Sequence, residues 1–381
     1  MDFDLNDEQR MMKESLDRTL ADRYGFKQRE TYAKTAEGFS RELWATYAEL
    51  GLLALPFAEE DGGFGGGPQE TMIVMESLGT KLALEPYIAS IVLAGGLLRH
   101  AGSAEQKEHY IGALADGSKT AAFAHSELGS RYTLSDVATT ATKDGDGWVL
   151  NGSKGLVLQG DSADTIIVSA RVSGGRADRD GLGLFIISGE APGVVRHGYA
   201  TQDGQHAAEI TLTNVKVGAG DVLGEPGKAY PIISRVVDEA TAAVCAEAVG
   251  AMDALTKLTV EYLKTRKQFG VTIGSFQVLQ HRAADMLIAT EQAKSMTMYA
   301  TMMAGSDDAA EREKAVSAAK IQVAKSGRTV GQEATQLHGG IGMTMEYEGG
   351  HYFKRLTMIA SMFGDADYHL RRLAATDGLF A

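Results

Sequence analysis

The chain has 381 residues, with 37 Lys and Arg against 50 Asp and Glu, a formal net charge of −13. That length predicts more than one domain, and the acidic balance argues against a nucleic-acid binder, whose footprint is a basic surplus. A single cysteine, Cys245, excludes an intrachain disulfide framework and a cysteine-based zinc cluster.

In chain order, Met1 to Asp7 is acidic and offers no export signal. Asn6, with Gln9 three residues on, reads as a capping box opening a first helix. Ser40 to Leu50 predicts a second helix, ended by Gly51. Asp61 to Pro68 carries too much glycine for regular structure and predicts a loop. Helical patterns resume over 69–84, 85–100 and 104–115. Near Thr120 the pattern changes. Val137 to Lys143, a turn at Asp144 to Gly147, and Trp148 to Leu150 read as paired strands, and Asn151-Gly152 reads as a hairpin turn. Further strands are expected over 165–172, 183–188, 194–196 and 207–215, giving a mainly antiparallel β unit. Long amphipathic helices follow over 232–266, 276–303 and 309–337, and no proline occurs after Pro231. The order is α, then β, then α, with boundaries at 1–119, 120–225 and 226–381. No run reaches the roughly 18 apolar residues that span a bilayer, so a soluble cytoplasmic protein without a membrane span is expected.

Common chemical motifs are missing. His338-Gly-Gly-Ile-Gly342 is not preceded by a strand, so it does not read as a dinucleotide fingerprint, and residues 62–67 lack the Lys of a phosphate loop. The nine histidines show no close pair, and no metal site is expected. Two segments carry more information. Arg266 to Gln277 sets an Arg, an aromatic and a Gln between two helices, where a guanidinium and a helix N-terminus suit a phosphate. In Gln336 to Gly342, glycines let backbone N–H groups approach a ligand. Either alone also reads as a plain helix–helix turn.

Together with Gln280 to Met286, Trp148 to Lys154 and Phe123-Ala-His-Ser-Glu127, these segments resemble the acyl-CoA dehydrogenase family over nearly the whole chain. Within it, the chain looks most like the small subunit of pimeloyl-CoA-dehydrogenase-type enzymes. The resemblance implies an α+β fold with an N-terminal helical domain, a middle β-barrel-like domain and a C-terminal four-helix bundle. It implies FAD as cofactor, an acyl-CoA substrate, an electron-transfer flavoprotein as acceptor, and a homotetramer or an α2β2 assembly with a homologous large subunit. It would place Arg266 on the FAD pyrophosphate, Phe269 and Gln277 against the cofactor of a neighbouring subunit, and Gln336, Gly339 and Gly340 on the ADP half. Ser126 falls where a Thr commonly bonds the flavin, and Ser130 is expected to do likewise for flavin or CoA. Leu156 and Leu158 stand where an aromatic and a Thr or Ser usually pack on the ring.

The family's chemistry removes an α-proton with a carboxylate while the β-hydride leaves to the flavin, and here the pattern departs. Counting without gaps from Gln336, the usual late Glu slot holds Phe363, or Gly364 after a one-residue shift, with Asp365 beside it. The alternative slot, on the first helix of the C-terminal bundle, holds Ala240. Glu239 and Glu247 flank it. Glu247 shares the helix face with 240, two turns and about 10 Å along. It is alone in an apolar run, where burial would raise its pKa toward that of an α-proton base. Glu247 is therefore the expected relocated base. The rival readings are a chain without a base that completes the FAD and CoA sites of a homologue, and another flavoenzyme on the same scaffold, such as a nitroalkane-oxidase-like or monooxygenase-like protein.

Overall fold

A computed structural model describes residues 5–376, and packing groups the chain into two units: 1–30, 68–83 and 241–381 form the first, and 31–67 with 84–240 the second. The three sequential segments are thus regrouped, because pieces of the helical N-terminal third belong to different units.

In the first unit, α1 (Asp7–Arg23) opens with reciprocal Asn6–Gln9 bonds of 2.8 and 3.1 Å, as the capping box predicts. It packs on α4 (Pro68–Lys81). Between them in sequence lie α2 (Phe26–Tyr32) and α3 (Arg41–Glu49). The C-terminal part is built on α10 (Ala309–His338), which packs against α9 (Gln277–Ala304), α11 (Gly349–Ser361) and α12 (Ala366–Ala375). The buried stripe of α10 follows helical spacing through Val316, Ala319, Val323, Gly327 and Val330, and Lys320 lies within it. The long helix α8 (Tyr230–Thr265) contributes to this unit from Thr241 onward.

Where α4 meets α8, two glycines face each other's backbone. A Cβ on Gly79 would lie 2.1 Å from the Glu247 carbonyl oxygen, and one on Gly250 would lie 1.9 Å from that of Glu76. Only glycine permits this approach.

In the second unit, Ser40 caps α3 through the Leu43 N–H, and the helix runs out into Gly51. The predicted helix over 85–100 divides into a π-helical stretch, Tyr87–Ala94, and α5 (Gly95–Ala101). Short turns α6 (Ala104–Gln106) and α7 (Gly112–Ala115) lead into the sheet. Its strands are β1 (Ala121–Ala124), β2 (Thr140–Asp144), β3 (Gly147–Leu158), β4 (Thr165–Arg171), β5 (Leu182–Ser188), β6 (Val194–Ala200), β7 (His206–Val217) and β8 (Val222–Gly227). They lie in the order β6-β7-β3-β2-β4-β5-β8, with β1 pairing β4. Most pairs are antiparallel, but β1 and β2 each run parallel to β4. Ala122, Leu150, Ile166, Phe185, Ile210 and Val215 fill the core on one side.

The Asn151-Gly152 hairpin is corrected. β3 runs straight through it, and the two-residue turn is Gly145-Asp146, six residues earlier and within the turn expected at 144–147. Asn151 and Gly152 lie instead at a bulge against β7, where Asn151 Oδ1 accepts the Asn214 N–H at 2.8 Å. Strands β1 and β8 escape the alternation rule, because β1 is Ala-Ala-Phe-Ala and buried throughout, and β8 contains Pro226 and two glycines.

Gly250→Ala is expected to cost about 3 kcal/mol, since it drives a side chain into a backbone oxygen that cannot retreat. Urea unfolding of the variant beside the parent checks this, and an unchanged midpoint contradicts the close crossing.

Candidate functional site

In the first unit, α8 ends at Thr265, and residues 267–272 form a minimal hairpin with Gln268 opposite Val271. Its central residues are Phe269 and Gly270, both at positive φ (54° and 80°), as a two-residue turn of this hand requires. Glycine adopts this freely, but a phenylalanine there is a backbone outlier. The phenyl ring is moreover 90% exposed, in edge-to-face contact with Phe276. An exposed aromatic held on strained backbone points to a ligand or partner rather than to folding. Arg266 just before the hairpin and Gln277 just after it are exposed, and neither side chain is bonded among the described residues.

The Gln336 to Gly342 segment lies at the end of α10. His338 is buried there, 2.8 Å from the Ala334 carbonyl through Nδ1 and 2.8 Å from the Tyr347 hydroxyl through Nε2. Its ring lies between Tyr262 and Tyr347, with centroids 4.6 and 4.9 Å away. Tyr262 is one turn before Arg266 on α8, so this stack ties the two predicted cofactor segments to each other. Gly339 turns out of the helix at φ 62°, ψ −141°, and the space beside Gly339 and Gly340 is open. Gln336 is exposed beside them.

In the second unit, Ser126 follows β1 and is exposed, while its carbonyl accepts the Gly155 N–H at 2.9 Å. Ser130 differs from its expectation. It is buried, its hydroxyl donates to the Glu127 carbonyl at 2.9 Å, and it accepts the Glu127 N–H at 3.2 Å. Its only proton already closes a turn, so it has none to offer a flavin or CoA. Leu156 sits where the β3–β7 register slips between Lys154 and Val157, at φ 51° and 49% exposed. Leu158 is half-buried two residues on. Leu156 and Phe269 thus share one signature, an exposed apolar side chain on left-handed backbone.

The expected surroundings of Glu247 are corrected. It is buried, but not alone. Arg355 on α11 grips both its oxygens, Nε to Oε1 at 2.6 Å and Nη2 to Oε2 at 2.7 Å. Both side chains are 4% exposed. A two-pronged guanidinium contact engages both oxygens, the atoms with which a base would take a proton. Glu239, in the second unit, bonds Arg99 at 2.6 Å and His100 at 2.9 Å, with Arg235 at 3.4 Å. Burial pushes its pKa up, but these three groups outweigh that and hold it below the usual carboxylate range. Ala240 is fully buried.

The late slot is a tight loop between α11 and α12. Phe363 and Gly364 take positive φ (57° and 121°). Asp365 caps α12, accepting the Tyr368 N–H at 2.8 Å. Beneath the loop, Lys320 Nζ donates to the carbonyls of Met362 and Gly364, both at 2.7 Å, and of Ala360 at 3.3 Å. His369 is fully buried, 3.1 Å from the Ser317 hydroxyl and 3.2 Å from the Phe363 carbonyl. Arg355, Lys320 and His369 were not singled out from the sequence. Lys320 had left a signal, since it interrupts the apolar stripe of α10.

Three models of one family match consecutive parts of the chain: the acyl-CoA dehydrogenase N-terminal domain over residues 6–118, the middle domain over 122–215 and the C-terminal domain over 230–376. The chain belongs to the acyl-CoA dehydrogenase family. A probable acyl-CoA dehydrogenase of Bacillus subtilis (strain 168) is 30% identical over 352 residues, which are 91% of this chain and 92% of that one. The solved ChsE4-ChsE5 complex from Mycobacterium tuberculosis matches with a TM-score of 0.89 and 26% identity over 98% of both chains. An FAD complex of PigA matches with a TM-score of 0.90 and 25% identity over 100% of both. Acyl-CoA dehydrogenases are oxidoreductases that use FAD to dehydrogenate acyl-CoA. The fit to that cofactor is good on this chain's own terms. Arg266, Gln277, Gln336 and the Ser126 hydroxyl are exposed and unbonded among the described residues, and open space adjoins Gly339 and Gly340. No helix among the described residues is long and apolar enough to cross a membrane.

Two outcomes are expected. Phe269→Gly relaxes the hairpin, so thermal stability holds or rises, while FAD affinity falls about tenfold. Calorimetry and a flavin fluorescence titration measure the two. The second concerns pH. Burial, aided by the Lys320 and Arg372 charges, lowers the His369 pKa from 6.5 to about 3. Between these values the unfolded chain binds a proton that the folded one refuses. Stability is therefore full above pH 6.5 and falls as pH drops toward 3, by about 2 kcal/mol between pH 7 and 5 from this group. His369→Asn should flatten that slope in urea titrations.

Proposed function

We propose that this chain is an FAD-binding subunit of an acyl-CoA dehydrogenase that works with a homologous chain, which supplies the catalytic carboxylate. The observation that carries this reading is a contrast within one molecule. The side chains suited to FAD are exposed and unbonded, whereas the carboxylates weighed as bases are all engaged: Glu239 by three basic groups, Glu247 by Arg355 and Asp365 by its cap.

In this reading Arg266 holds the pyrophosphate, the backbone at Gly339 and Gly340 approaches the ADP half with Gln336, and Phe269 and Gln277 serve the cofactor of a neighbouring subunit. Ser126, rather than Ser130, offers its hydroxyl to the flavin, and Leu156 and Leu158 give an apolar wall. FAD, when bound, supplies the acceptor for the substrate's β-hydride. Glu247 is a positioning group that fixes α11 on α8 through Arg355. An electron-transfer flavoprotein takes the electrons onward.

The surface supports an assembly. Val278, Leu287 and Ile288 on α9 are exposed apolar side chains in the same unit as Phe269, Met343 and Met345, more than a solitary soluble chain needs. A homologous chain in an α2β2 arrangement would cover them, and the small subunit of a pimeloyl-CoA-type enzyme is the finer form of the same proposal. The complex named in the ChsE4-ChsE5 structure is a relative of mixed composition.

The test is anaerobic titration of the purified FAD-loaded chain with a panel of acyl-CoA thioesters. The chain alone is expected not to bleach, and bleaching by any of them shows that it holds its own base. Glu247→Gln separates the roles. As a positioning group its loss costs about 3–5 kcal/mol of stability, because the buried Arg355 guanidinium no longer faces a carboxylate, and turnover of the complex stays within about threefold. A fall of about a thousandfold or more in kcat with stability kept would make Glu247 the base. The paired replacement Glu247→Leu with Arg355→Met removes both charges and keeps the question answerable if the single variant does not fold.

A further inference from the structure

We propose that Lys154 is a positioning residue that sets the flavin-facing segment 125–127 and the Leu156 bulge together. This deepens the reading above and rests on Ser126 and Leu156 meeting the cofactor.

Lys154 is 0% exposed, yet it carries an amine into the β core. Its Nζ donates three hydrogen bonds, the full complement of an ammonium: to the His125 carbonyl at 3.1 Å, to Glu127 Oε1 at 2.7 Å and to Ser169 Oγ at 3.2 Å. Two of these flank Ser126 on either side. The Ser126 carbonyl is itself bonded by Gly155, the residue after Lys154. Three consecutive residues, 125 to 127, are therefore fastened to two, 154 and 155. Glu127 extends the tie, accepting the Ala138 N–H at 2.7 Å and the Thr139 N–H at 2.9 Å. Ser169 Oγ is 2.9 Å from His125 Nδ1, and burial with the neighbouring ammonium lowers the His125 pKa to about 3, so a neutral imidazole shares this hydrogen bond with the serine hydroxyl.

Such a network is a poor way to gain stability. A buried ion pair is often matched or bettered by apolar residues of similar volume. Its value lies in direction. Burying one ammonium with three fixed acceptors leaves the segment a single arrangement, with the Ser126 side chain outward. On the other side, Gly155 is held by its bond to Ser126, and the strand then slips register so that Leu156 turns out at φ 51°. One lysine thus positions a polar contact after β1 and an apolar contact on β3 without touching a ligand.

The experiment is a double-mutant cycle in the full chain, with Lys154→Met, Ser126→Ala and both, read by FAD affinity and by the visible spectrum of the bound flavin. Lys154→Met is expected to weaken FAD about tenfold and to shift the flavin bands toward those of free FAD. Because Lys154 acts through Ser126, adding Ser126→Ala should change little more. If Lys154→Met leaves affinity and spectrum unchanged, or if the two effects add, the proposal is wrong. If Lys154→Met does not fold, Glu127→Gln takes its place in the cycle under the same two outcomes. A parent chain that binds no FAD would overturn the cofactor reading instead, and a parent that binds FAD with Ser126→Ala silent would overturn the contact on which this step rests.

Discussion

An ammonium taken out of water must be given three acceptors, and this chain does so twice. Lys154 and Lys320 are both 0% exposed. Lys320 is satisfied by three backbone carbonyls, Lys154 by one carbonyl and two side-chain oxygens. Lys320 draws the carbonyls of 360, 362 and 364 inward, which forces Phe363 and Gly364 into left-handed backbone and closes the loop after α11. Lys154 draws in the carbonyl of 125 and the carboxylate of 127. Burial lowers both pKa values to about 8, with Glu127 working against the shift at Lys154, and Cys245 and Asp365 against it at Lys320. The loop after α11 and the segment 125–127 are in this sense moulded on buried charge.

Much of the scaffold was legible because its signals are local. A capping box at Asn6 and Gln9, the Gly51 stop after the second helix and the apolar spacing of the long helices need only a few neighbouring residues. The same locality misled at Asn151-Gly152. The pair favours a tight turn in isolation, but β3 gains a full ladder with β7 by running on, and a bulge absorbs the glycine. Strand β1, with no polar alternation, gave no signal because both its faces are covered.

The two segments proposed to hold the cofactor stand out in the sequence for a related reason, since Arg266 to Gln277 and Gln336 to Gly342 are continuous motifs. Chemistry spread across distant positions was not. Arg355 lies 108 residues from Glu247, and nothing local to Glu247 announces a guanidinium. Ser130 likewise read as a free hydroxyl until its turn with Glu127 was seen. The sequence pattern of a carboxylate in apolar surroundings fits a base and one half of an ion pair equally well; only the fold distinguishes them.

The crossing of α4 and α8 has a consequence for how this chain can change over time. Gly79 and Gly250 each sit three residues after the carbonyl that their own helix presents to the other glycine, so the two close approaches fix one register. Inserting or deleting a residue in either helix would rotate the face by about 100° and bring a side chain to a point with no room for one. Length variation among close descendants of this chain should therefore collect in the connecting loops and leave the spacing within both helices untouched.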